Sequence, residues 1–311
     1  MSTTNAPAGN SLAGILIMAV AAALVATTTF LAKALAHGIG AGTEGAALPA
    51  FEISAGRFVF AFMFLLPFAA RLRTGIALSA LPLHGLRTLF GWGGTTALFT
   101  AAALISLADA TAISFLNPVI AMLLAVPFLG ERVGPWRWGA AAMAVAGAVI
   151  LIRPDFGHVE PAMLIALLSA LFLGSEMICV KLLLRAETRL KILLINNAIG
   201  TVLSVAVASS VAVWPTLPQV GMMVALGGFM LLAQTCTMEA MRLADASLVM
   251  PVLYSTLVFA AVFDYLAFGT IPSPPSIVGS LMIVSGALLL AWREVRSGRR
   301  RGARAQADPS H

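Results

Sequence analysis

Glu176 is the only charged residue between Glu160 and Lys181. It stands mid-way along an apolar run, where an ionised carboxylate is costly. It must therefore face a water-filled cavity, hold a proton or pair with a base. Its functional roles would be proton carriage or contact with a substrate ammonium group. The structural alternative is a pair with Arg57 or Lys33. Arg57 lies about a third of the way into another apolar run, and its planar fork suits a carboxylate. A structural pair with Glu52 or another acid is the competing expectation. Lys33 and Lys181 sit near the ends of apolar runs, where long stems can snorkel. Glu239 and Asp264 also lie near run ends and read either as gate salt bridges or as solvated ends.

The uncharged residues add a second set. Pro118 and Pro251 each interrupt an apolar run, and a helical proline removes one backbone hydrogen bond. The freed carbonyls belong to Ser114 and Ser247. With Asn117 they give one run a polar patch, and Tyr254 brings an aromatic hydroxyl near Pro251. A binding site between two kinked helices is one reading, and kinks that serve packing are the other. Trp92, Thr96 and Phe99 share one helical face, as do Met230, Gln234 and Met238. Aromatic and methionine surfaces suit an apolar or aromatic substrate, and equally suit packing.

Enzyme chemistry finds little to work with. No P-loop is present. His37, His84, His158 and His311 lie in loops, at a run edge or in the tail. Cys179 and Cys236 have no metal-ligand spacing and read as small buried hydrophobes. No metal site or cofactor is expected.

The elements that must position these residues follow from composition. Of 311 residues, 60% are hydrophobic and only 10% charged, far below the roughly 25% charged of soluble domains. The apolar runs are continuous rather than alternating, so the fold class is all-α integral membrane. Ten segments of about bilayer length are expected at 11–36, 51–70, 83–106, 109–128, 135–152, 160–184, 190–213, 218–241, 245–267 and 275–292. Segments 3 and 4, and segments 8 and 9, are separated only by an Asp at an expected N-cap, so those junctions must be tight.

Positive charge supports this count. With the N-terminus cytoplasmic, the inner side holds Arg71, Arg73, Arg87, Arg132, Arg137, Arg185, Arg189, Lys191, Arg242 and the tail arginines from Arg293 to Arg304. The outer side holds only Arg153, a strong positive-inside asymmetry. Residues 1–10 then form a cytoplasmic tail and 293–311 a basic one, a topology determinant in reach of membrane lipid. The net charge of +6 does not signal nucleic acid. Trp136 and Trp138 read as interface anchors.

The string LADA begins at Leu107 and again at Leu243, opening segments 4 and 9. Each copy leads to a proline-interrupted run, a glycine-containing loop and a last run with a central glycine. TTTFLAKAL in segment 1 lines up with EMICVKLLL in segment 6, which sets Lys33 opposite Lys181. The offset of five segments is odd, so the two halves, 11–153 and 160–292, would be inverted repeats of five helices, as in secondary transporters.

The stretch FLNPVIAMLLAVPFLGERVGPWRWGAAAMAVAGAVILIRP resembles the end of an EamA domain, the five-helix unit of the drug/metabolite transporter superfamily. In size and layout the chain is similar to aromatic amino acid exporters of that superfamily. The second half departs from the pattern, since FGTIPSPP lacks the pair Gly130-Glu131. The resemblance implies a multi-pass protein of the bacterial inner membrane that exports a small metabolite, an amino acid first, by alternating access. Segments 1, 3, 4, 6, 8 and 9 would line a central cavity, and segments 5 and 10 would pack outside it. Proton coupling, exchange and facilitated diffusion all stay open. So do import or exchange of a nucleoside, sugar or drug cation, and an integral-membrane enzyme acting on lipid.

Overall fold

The computed structural model describes residues 8–40, 46–69, 80–129, 135–152, 160–184, 186–211, 213–243, 252–286 and 288–289. Among these, every regular element is helical. In chain order they are α1 (Ala8–Ala36), α2 (Ala50–Ala69), α3 (Leu81–Leu104), α4 (Leu107–Ser114), α5 (Asn117–Leu129), α6 (Pro135–Ile152), α7 (Pro161–Leu183), α8 (Arg189–Ala208), α9 (Leu217–Leu243), α10 (Thr256–Phe268) and α11 (Pro274–Gly286). Six described helical stretches are long and apolar enough to cross a bilayer, with shorter apolar helices beside them. Large apolar side chains such as Leu12, Leu16, Val202, Leu266 and Leu281 are exposed, as lipid-facing surfaces require.

Two junctions refine the expected segments. Segment 4 is two helices rather than one kinked helix: α4 stops at Ser114, Phe115 caps it, and α5 restarts at Asn117. Pro118 thus sits in the first turn of α5, where a missing N–H costs least. The tight junction between segments 3 and 4 is present, with α3 ending at Leu104 and α4 starting at Leu107. Its cap is Ser106, whose hydroxyl accepts from the Asp109 amide at 2.9 Å, so the serine rather than the expected aspartate does the capping. The second LADA junction, Pro251, Gly130-Glu131 and the basic tail lie outside the described residues.

The main packing joins early helices to late ones. α1 lies along α9, α3 along α7, and α2 packs on both α8 and α9. The largest buried apolar cluster draws Leu107 and Ile113 from α4, Leu151 from α6, Ala166 and Ala170 from α7, and Ile283 from α11. A second joins Leu35, Ile53, Phe99, Met223 and Leu226 across α1, α2, α3 and α9.

α6 and α11 meet through small residues. A Cβ added to Gly147 would fall 2.7 Å from the Gly279 carbonyl oxygen and 2.7 Å from Met282 Cβ. Such close backbone approach is how membrane helices gain contact without a hydrophobic driving force. Gly147→Ala is expected to cost about 1–3 kcal/mol, read as a lower melting temperature of the detergent-purified protein. Gly221→Ala, whose Cβ would meet nothing within 4 Å, is expected to leave it unchanged or raise it.

Candidate functional site

α3 is long enough to span a bilayer yet is not among the strongly apolar helices. Its sequence explains why: LPLHGLRTLFGWGGTTALFTAAAL carries a histidine, an arginine and four threonines. The hydroxyls of Thr88, Thr95 and Thr100 bond to carbonyls one turn back, at 2.9, 2.6 and 2.8 Å. That satisfies them inside the helix and allows burial. Arg87, Gly91 and Thr95 recur every four residues on one face.

Charge gathers at the middle of that face. Arg57 of α2 donates from Nη1 to Thr95 Oγ1 at 2.8 Å and lies over the Phe58 ring at 4.6 Å. Glu176 of α7 sits with Oε1 3.3 Å from Arg87 Nη2. A Cβ at Gly91 would lie 2.9 Å from the Glu176 carboxyl carbon, so the glycine leaves the space into which the carboxylate fits. The expected partners are therefore revised. Glu176 pairs with Arg87, not with Arg57 or Lys33. Arg57 meets a hydroxyl, while Glu52 accepts from the Val213 amide at 3.1 Å. Nearby, Trp92 stacks on Phe51 with centroids 6.1 Å apart, and Thr96 donates to Ser54 at 2.9 Å. Among the described residues the buried Trp92 indole N–H has no hydrogen-bond partner.

One end of α3 carries a second cluster. Lys33 of α1 and Asp264 of α10 form a buried ion pair at 2.7 Å. Lys33 also donates to the Ile105 carbonyl at 3.1 Å, and the Leu107 amide donates to the other Asp264 oxygen. Lys33 does not snorkel, and Asp264 is not a solvated end. Together they hold the turn between α3 and α4 against α1 and α10. The unpaired N–H at the start of α4 gains an anionic acceptor, which the helix dipole favours.

The opposite end of α3 carries a third cluster that the sequence reading passed over. His84 is fully buried, with Nε2 2.6 Å from Glu187 Oε2. Lys191 of α8 lies 3.1 Å from Glu187 Oε1. Burial pushes the Glu187 carboxyl up, but Lys191 and His84 together outweigh it and hold the group below its ordinary value. His84 looked like a residue at a run edge because its acidic partner lies more than a hundred positions away. The nearest local signal was Glu187 and Lys191 at i, i+4.

The remaining candidates spread out. Phe99 lies in the second apolar cluster. Ser114 donates to the Thr111 carbonyl at 2.7 Å, and Asn117 opens α5 where its carbonyl meets Gly174 of α7. Tyr254 packs edge-on to Phe115 at 4.9 Å. Tyr254 also lines an apolar cavity of about 560 Å³ with Asp109, Leu257, Tyr265 and Ser276, away from the Glu176 pair. Gln234, Met238 and Glu239 are half-buried on α9, and Lys181 is exposed in the last turn of α7. Among the described residues no group of three or more His, Cys, Asp or Glu side chains is placed to hold a metal.

Comparison with known proteins places this arrangement. The model of the EamA-like transporter family matches residues 12–153 and again 160–292. The chain belongs to the EamA-like transporter family. It is accordingly a multi-pass membrane transporter rather than an enzyme. An S-adenosylmethionine uptake transporter of Rickettsia bellii is 27% identical over 81% of this chain and 87% of its own. A riboflavin transporter of Rhizobium johnstonii is 30% identical over 82% and 85%. The pseudopaline exporter CntI of Pseudomonas aeruginosa is 28% identical over 79% and 87%. A solved crystal structure superposes with a TM-score of 0.56 at 24% identity, over 90% of this chain and 97% of that one, which speaks to the fold alone.

Lys33→Ala strands Asp264 as an unpaired buried charge, and is expected to cost about 3–5 kcal/mol. Lys33→Met combined with Asp264→Asn is expected to recover part of that loss in the same thermal melts. For Glu187 the folded-state value is depressed, so its contribution is present at neutral pH. It shrinks as pH falls below the ordinary 4.5 and is gone below the folded-state value. Glu187→Gln is expected to flatten that acid limb in a stability-versus-pH series.

Proposed function

We propose that this member is a secondary transporter of the bacterial inner membrane that works by alternating access and exports an aromatic or large neutral amino acid. The observation that carries this reading is the pair of charge clusters at the two ends of α3. They lie roughly 30 Å apart at about 1.5 Å per residue, close to the thickness of a bilayer core. Each cluster joins the segment of the first family match to that of the second: Lys33 to Asp264 at one end, His84 to Glu187 at the other. A transporter needs a closure at each face, only one of which opens at a time.

Further features support the same reading. If α4 and α5 make one broken crossing, the described helices allow ten crossings, five in each family match. An odd number per half inverts one half relative to the other, and inverted halves exchange inward- and outward-open shapes by rocking. The positive-inside asymmetry puts the His84 cluster on the cytoplasmic side and the Lys33 cluster outside. Between them Glu176 presents a carboxylate for a substrate ammonium group, and the Phe51–Trp92 stack offers a surface for an aromatic side chain. The break before Asn117 supplies the irregular backbone typical of transport sites.

Import of a larger aromatic metabolite is the second reading, favoured by the riboflavin transporter at 30% identity. Counterflow into proteoliposomes separates the two. Saturable flux of radiolabelled phenylalanine or tryptophan, competed by other large neutral amino acids, supports the first. Saturable riboflavin flux with no amino acid flux supports the second. Glu176→Gln is expected to lower amino acid flux by at least about tenfold at unchanged membrane insertion. Wild-type flux in that variant removes Glu176 from the site.

A further inference from the structure

Among the described residues, the charges at the middle of α3 do not balance. Arg57 and Arg87 are both buried, at 6% and 5% exposed. Glu176 is the carboxylate that acts on both, and it is engaged by Arg87 at 3.3 Å. Among the described residues Arg57 meets no carboxylate within ion-pair distance. It has only the Thr95 hydroxyl and the Phe58 ring. Two guanidinium groups therefore share one acid, inside a membrane protein where a surplus buried cation is strongly unfavourable.

The arrangement around Arg57 is that of a prepared anion site. Thr95 holds one Nη, and Thr95 is itself tied to the Gly91 carbonyl at 2.6 Å. Phe58 fixes the plane of the guanidinium from below. These two contacts orient the fork and leave its other donors free to meet a planar oxyanion in two-point fashion. Beside it, the Glu176 side chain is 21% exposed while that of Arg87 is 6%, so the carboxylate keeps an open side.

The geometry points to Arg57 as the anchor for a carboxylate on the transported molecule. Binding neutralises the surplus charge, and an ammonium group on the same molecule can take the open side of Glu176. The site then selects for acids and zwitterions over their amides, whatever the rest of the molecule. This inference rests on the transport reading above but not on the amino acid assignment.

The test uses the full chain purified in detergent. Its melting temperature is followed with two ligand pairs: phenylalanine against phenylalaninamide, and phenylacetate against phenylacetamide. Both acids are expected to raise the melting temperature and both amides to leave it unmoved. Arg57→Gln is expected to lose the response to acids, and Arg57→Lys to keep part of it. Without ligand, Arg57→Gln is expected to melt at or above the wild type, because the surplus charge is gone; a purely structural arginine would lower it. Thr95→Val keeps the charge and loosens the fork, so it should weaken the acid response several-fold. Equal shifts for acids and amides, no shift for either acid, or an acid response that survives Arg57→Gln would each overturn the inference. A phenylacetate response that needs Arg57, in a protein that moves no amino acid in counterflow, sinks the amino acid assignment and leaves this anchor standing.

Discussion

A charged side chain taken out of water needs an opposite charge or a set of oriented dipoles, and inside a bilayer no solvent will make up a shortfall. That constraint organises this protein around α3. The helix is too polar to face lipid all round, so its polar face is buried while Leu86, Leu89 and Leu104 stay exposed. Its packing partners α1, α2, α7 and α8 bring groups that answer those on α3 or at its ends, and α10 adds Asp264 at the turn that follows it. The charged clusters at the two ends tie the two family-matched segments together. The middle one, with Arg57, Glu176 and Arg87, carries more positive than negative charge among the described residues.

The three clusters differ in what would release them. The Lys33–Asp264 pair is reinforced by backbone groups on both sides, one carbonyl and one amide, so its breakage also frees the turn between α3 and α4. The His84–Glu187–Lys191 cluster is built on a carboxylate shared between two bases. The central cluster is held by the Arg87–Glu176 ion pair, the Arg57–Thr95 hydrogen bond and the room that Gly91 leaves. An enclosing helix that moves away from α3 therefore exposes a charge, and motion and polar chemistry are linked by the same contacts.

Small residues set the distances on which these contacts depend. α7 comes near enough to α3 to lodge the Glu176 carboxylate beside Gly91, and α6 meets α11 where two glycines face each other. With lipid outside as apolar as leucine, such contacts supply much of the cohesion between helices. The broken crossing of α4 and α5 is the complementary device. Pro118 costs little where it stands, in the first turn after the break between α4 and α5.

Much was legible before folding. Continuous apolar runs dictate a helical membrane protein, because no other open structure satisfies its backbone in lipid. The repeated LADA strings, with the proline run and glycine loop that follow each, point to a duplicated unit, and one family model matches the chain twice. The rarity of charge within the runs made Glu176, Arg57, Lys33 and Asp264 stand out, since composition alone marks a costly residue. Pairing was not legible. Lys33 finds Asp264 across more than two hundred positions, and His84 finds Glu187 across about a hundred, separations that no local period encodes. Which acid answers which base, and where a surplus charge remains, depends on the helix neighbours and their closeness. Those are set by packing in three dimensions and were decided only by the tertiary structure.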